Sequence, residues 1–245
     1  MAQVRPLRYP PIIEAVIDFR VQYSRRTAAA DFEQFHQLIS ADYPGSKTRQ
    51  GVEVKIDLDG GKTEQLSILS GFLFSSADGT QVVQSKVDGF SFSRLKPYQD
   101  WDTMFREAWR LWVAYRNRFC PDRIIRLSTR FINRLDIPGT NIDFDDYLLV
   151  GPRIPEGAPQ QLSSFSTSVE IPSIGENTVG RVRYVFESAT ITDVAPLLLD
   201  IDVIRECDIA PDADEYVQAT IAKLRPIKNI LFFGSLTEKA ARIFE

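Results

Sequence analysis

The chain has 245 residues, a formal net charge of −4, 44% hydrophobic residues and 25% charged residues. That balance suits a soluble globular protein with a sizeable core, and it disfavours a general nucleic-acid binder, which is usually basic. No apolar run approaches bilayer-spanning length and Met1 to Pro11 has no apolar signal segment, so the expected location is the cytoplasm, with no membrane partner.

Pro6, Pro10 and Pro11 make the first segment irregular. A strand is predicted over 13–23, with Ala15, Ile17, Phe19, Val21 and Tyr23 on one face and Glu14, Asp18, Arg20 and Gln22 on the other. Thr27 is placed to cap a helix over 28–42 whose inner face carries Phe32, Phe35, Leu38 and Ile39. His36, the only histidine, lies in this pattern and has no second histidine to share a metal. Three strands follow, over 51–58, 65–75 and 81–93, with turn signals at Asp59-Gly60-Gly61 and Asp78-Gly79. A helix over 100–119 carries Trp101, Phe105, Ala108, Trp112, Tyr115 and Phe119 as one apolar stripe, and Cys120-Pro121 stops it. Cys120 and Cys207 form no CxxC or Cys/His pattern and read as reduced thiols.

The pattern then restarts. Residues 124–137 read as a strand, 143–149 as a short helix, and 162–171, 179–189 and 194–208 as three more strands. A helix over 212–224 ends or kinks at Pro226, and a terminal helix opens at Ser235 with a capping-box spacing to Glu238. The expected fold class is therefore α+β: two pseudo-repeated β-α-β-β-β-α halves, 1–122 and 123–245, forming one compact unit. They would share a curved antiparallel sheet with the long helices packed on one face, as in TATA-binding-protein-like or helix-grip folds. Such a likeness of build does not by itself assign a function.

Three predicted strands of the second half carry charge on alternate residues. Arg126, Arg130 and Arg134 form one row, Arg181 and Arg183 a second, and Asp200, Asp202, Glu206 and Asp208 a third. One reading is a solvated face on which opposite charges pair. Another is a phosphate or nucleotide site held by Arg126, Arg130, Arg134, Arg181 and Arg183, with Asp200 and Asp202 able to hold Mg²⁺ as in tunnel-type triphosphate hydrolases. The glutamate-rich first strand of those enzymes is missing, since Glu14-Ala15-Val16-Ile17-Asp18 stands in its place. Nucleic-acid binding through the sheet is a third reading, opposed by the acidic row.

Five phrases stand out: Pro10 to Val16, Phe90 to Trp101, Arg130 to Leu135, Leu199 to Val203 and Lys228 to Thr237. Together they resemble an uncharacterised, sporadically distributed prokaryotic family of about this length. The family has no assigned activity and supplies no catalytic residues to carry over, no cofactor is expected, and its scatter implies a role in phage defence or a toxin–antitoxin-like system. The residues contain no assembled catalytic set, which points away from an enzyme without deciding the question. The leading expectation is a non-catalytic binding module for a protein partner, or a homodimer, with Phe92, Tyr98 and Trp101 as aromatic anchors. The alternative reading of those three is a strand-to-helix corner packed in the core.

Overall fold

In the computed structural model, the structure describes residues 2–25, 27–57, 62–139, 142–187 and 194–245, with side chains left aside at 52–57, 62–68 and 187. The Asp59-Gly60-Gly61 turn lies outside the described residues.

The strands are β1 (Ile12–Gln22), β2 (Gly45–Asp57), β3 (Lys62–Ser75), β4 (Gln81–Lys86), β5 (Gly89–Leu95), β6 (Arg123–Pro138), β7 (Ser164–Gly175), β8 (Thr178–Glu187) and β9 (Val194–Ile209). The helices are α1 (Ala29–Ile39), α2 (Trp101–Phe119), α3 (Asp214–Ser235) and α4 (Glu238–Arg242). All nine strands form one sheet in the order β2-β3-β4-β5-β1-β6-β9-β8-β7, antiparallel at every step. The fold is α+β. At the centre of the sheet β1 pairs with β6, so strands from the two ends of the chain order meet edge to edge.

Six expectations need correction. Leu38 does not join the inner face of α1 but is 63% exposed. Ser235 does not open the terminal helix: it ends α3, and Thr237 caps α4 by accepting from the Ala240 amide. The strand predicted over 81–93 is two strands, β4 and β5, reversed at Val87-Asp88. Gly89 makes the return possible: a Cβ there would lie 2.1 Å from the Phe19 carbonyl oxygen on β1. Residues before Cys120 thus supply five strands, and those after it four. The helix predicted over 143–149 is a single 3₁₀ turn at Phe144–Asp146. Helix α3 does not stop near Leu224 but runs through Pro226 to Ser235. An interior proline costs about 3 kcal/mol, and burial of Leu231, Phe232 and Phe233 beyond it offsets that cost. Finally, Thr27 does not cap α1. Ala28 holds the N-cap position, and the Asp31 carboxylate accepts from its amide at 2.8 Å.

The helices α1, α2 and α3 share one face of the sheet. On that face, Ala15, Ile17, Phe19 and Val21 of β1 meet Leu127 and Phe131 of β6 and the stripe of α2. Phe19 stacks on Trp112 with ring centroids 4.2 Å apart. Asp100 caps α2 by accepting from the Thr103 amide, and Cys120 closes it in a left-handed conformation. A second apolar cluster joins Leu135 and Ile137 of β6 to β8, β9, the later turns of α3, and α4. Strand β6 therefore threads both clusters. Among the described residues, no helix packs on the opposite face of the sheet.

Candidate functional site

Two regions compete for the site: the helix-free sheet face and a cleft at one end of the β1–β6 seam.

On the sheet face, alternation puts Arg126, Arg130 and Arg134 of β6 beside Asp18 of β1 and Asp200 and Asp202 of β9. Asp18 is only 14% exposed and accepts from Arg126 at 3.2 Å and also from Lys86 of β4, which reaches it across β5. Arg130 forks onto Asp200 through Nε and Nη2, at 2.8 and 2.6 Å. Arg134 bonds Asp136 on its own strand at 2.8 Å. Arg181 bonds Glu170 on β7 at 2.6 Å, and among the described residues Arg183 bonds the Ser166 hydroxyl, at 3.4 Å. Four of the five predicted arginines are thus already engaged with carboxylates. The face is a ladder of paired charge.

Asp202 is the exception. It sits opposite Arg130 on one neighbour strand and Arg181 on the other, yet both guanidiniums turn to other carboxylates. Its Oδ1 is buried without a hydrogen-bond partner. Burial raises its carboxyl to a pKa of about 6, against the pull of Arg130 and Arg126. Asp200 and Asp202 do not form a ready Mg²⁺ pair here, because Arg130 occupies both oxygens of Asp200. Among the described residues, no cluster of three metal-ligating side chains occurs.

The three predicted aromatic anchors separate. Phe92 is 1% exposed and packs on the helix side of the sheet, so a partner cannot reach its ring. Trp101 is buried against Phe105 and Phe131, and Tyr98 meets Phe131 edge to face. Tyr98 and Trp101 both line a cleft of about 460 Å³.

That cleft is assembled from four distant pieces of chain. The segment Val4–Pro11 forms one wall, Tyr98–Trp101 a second, Phe131 and Asn133 a third, and α3 a fourth through Arg225, Lys228, Asn229 and Phe232. The first wall is a strap tied to the C-terminal segment. Ala2 and Tyr9 donate backbone bonds to Leu236 and Phe244, and Arg5 bonds Glu238 and Glu245. Asn133 is fixed by two bonds from Nδ2, to the Phe131 and Leu199 carbonyls.

The cations of this cleft differ from those of the sheet. The Arg225 guanidinium lies 5.7 Å from the Trp101 ring centre, and Lys228 Nζ lies 4.3 Å from that of Phe131. Among the described residues neither has a carboxylate partner. Burial, with a smaller push from Arg225, lowers Lys228 to a pKa of about 8. Burial also raises Tyr98 to about 12, which keeps its hydroxyl neutral. The arrangement can hold an anionic group between two cations on a floor of aromatic rings.

Sequence reasoning noticed Lys228 only as the first residue of a phrase. The signal was present. Lys228 falls four residues after Leu224 and three before Leu231, on the buried stripe of α3, where a lysine is out of place.

Compared with known proteins, the chain matches no family model and no curated protein.

Proposed function

We propose that the chain is a non-catalytic binding module that docks a protein partner, and that the cleft beside the N-terminal strap receives an extended, acidic segment of that partner. The observation that carries this reading is the contrast in pairing. The cations of Arg126, Arg130, Arg134 and Arg181 are engaged within the molecule, whereas Arg225 and Lys228 stand over aromatic rings with no carboxylate partner among the described residues. Aromatic-lined grooves favour extended backbone, and unpaired cations favour an acidic side chain or phosphate. The prolines at 6, 10 and 11 add further ring surface to the strap wall.

Four of the five phrases that carry the family resemblance contribute residues to this cleft, through Pro10 and Ile12, Tyr98 and Trp101, Phe131 and Asn133, and Lys228 and Phe232. That convergence supports reading the resemblance and the site together. A role in defence or a toxin–antitoxin-like system rests on the resemblance alone. The β1–β6 seam supports the pseudo-repeat, and the single helix-free face supports a saddle-like or helix-grip build. The second reading, a phosphate or nucleotide ligand, draws its support from the same two cations and not from the sheet face.

A thermal-shift screen of acidic peptides, inorganic phosphate and nucleotides tests the reading. A ligand present at about a hundred times its Kd stabilises by about 2.7 kcal/mol. The expected result is a shift with acidic peptides that vanishes in the R225E/K228E double variant and persists in R183E. A shift that survives the double variant overturns the assignment, and a shift with nucleotides alone favours the second reading.

A further inference from the structure

We infer that Lys228 is a nucleophilic amine that captures carbonyl compounds bearing a carboxylate, of the 2-oxo acid class, as an imine in the cleft. The inference rests on the assignment of the cleft as a ligand site, but it goes beyond non-covalent docking.

An amine attacks a carbonyl only when it is neutral. A lysine of ordinary basicity, near 10.4, is neutral in only a few parts in ten thousand at pH 7. Two devices raise that share: desolvation by apolar surroundings and a neighbouring cation. Both act on Lys228. Its place on α3 sets the amine against Phe131, with no carboxylate partner among the described residues to hold its proton. Arg225, one turn earlier on the same helix face, adds like charge. With a pKa of about 8, roughly a tenth of the amine is neutral at pH 7.

The same neighbour selects the ligand. Arg225 is exposed, always charged, and bears a fork shaped for a carboxylate. The i, i+3 spacing puts it about 5–6 Å from Lys228 at Cβ, which suits a carboxylate and a carbonyl on adjacent carbons. The cleft, at about 460 Å³, has room for such a molecule.

The step balances without an oxidant. Nζ forms a bond to the carbonyl carbon as the C=O π pair moves to oxygen. One proton passes from nitrogen to that oxygen, giving a carbinolamine. The nitrogen lone pair then expels the hydroxyl as the C–O bond breaks, and the remaining N–H proton passes to it, releasing water and leaving C=N. The net change is amine plus carbonyl to imine plus water.

The test is reductive trapping of the intact wild-type protein with pyruvate and cyanoborohydride, read by intact mass and peptide mapping. The chain's seven other lysines serve as internal controls. Among the lysines the expected result is a single adduct, at Lys228, formed at least tenfold faster than at Lys223 or Lys239, with the α-amine, ordinarily near pKa 8, mapped separately. It should be lost in K228M, and R225Q, which also removes the like charge beside the amine, should slow pyruvate several-fold more than neutral acetone. Labelling spread over the lysines at equal rates, or an unaltered pyruvate rate in R225Q, overturns the inference. An acidic-peptide titration of the same untreated protein keeps the two proposals apart. Trapping without peptide binding overturns the docking reading alone, and peptide binding without trapping overturns the imine alone.

Discussion

At the scale of single residues, Asp202 is the most costly group on the sheet face. Its carboxyl has a folded pKa of about 6 against an ordinary 3.8, with burial as the first cause. The folded state therefore holds this proton more tightly than the unfolded chain does. The resulting cost is absent below about pH 4, builds from about 4 to 6, and is complete above 6. A shift of about two units corresponds to about 3 kcal/mol. D202N is expected to raise stability at pH 8 by about 2–3 kcal/mol and to change it little at pH 4, as measured by urea unfolding at both values. Equal stability of D202N and wild type at pH 8 would contradict the account. The sequence placed Asp202 correctly on the charged face but could not show it unpaired. Alternation fixes which face a residue takes, whereas the choice of Arg130 for the diagonal Asp200 over the opposite Asp202 depends on guanidinium geometry in the finished sheet.

At the scale of elements, the strand ladder is unequal along its length. The Arg130–Asp200 rung has an arginine 47% exposed, and exposed pairs contribute about 0.2–1 kcal/mol. Asp18 joins β1 to β4 and β6 from a site where it and Lys86 are about 15% exposed. Removing one partner of a buried group strands the others, at a cost of several kcal/mol. D18A is therefore expected to lose about 2–4 kcal/mol and R130A less than about 1 kcal/mol, with only the R130A loss shrinking in 1 M salt. Comparable losses from the two would show that burial does not grade the ladder. Strands β1 and β6 and helix α2 were legible because their periodicities are long and clean. Strand pair β4–β5 carries an Asp88-Gly89 turn signal of the same kind as Asp78-Gly79, but the near-continuous strand-like run over 81–93 masks it. The true reach of α3 was hidden behind Pro226, whose local penalty is outweighed by distant core contacts that no window of sequence contains.

At the scale of the whole molecule, β6 and α3 each contribute to both apolar clusters: Leu127 and Phe131 to one and Leu135 to the other, Val217 and Ile221 to one and Leu224 to the other. Neither cluster can lose its packing without exposing the shared elements. Unfolding is expected to be one transition. All three tryptophans, Trp101, Trp109 and Trp112, lie on α2 and report the first cluster, while far-ultraviolet circular dichroism reports the entire sheet. The two urea curves should coincide, and separated midpoints would mean that the halves fold independently. The same threading sets the cleft at the seam, where the strap, β6, the start of α2 and α3 converge. No local pattern announces it, since its parts, from Val4 to Phe233, lie up to 229 residues apart in sequence. The most direct test of the account is a hydrogen-exchange footprint of the protein saturated with its tightest-binding acidic peptide. The account predicts new protection at residues 4–12, 98–101 and 225–233. Protection confined instead to the charged faces of β6, β8 and β9 would contradict it.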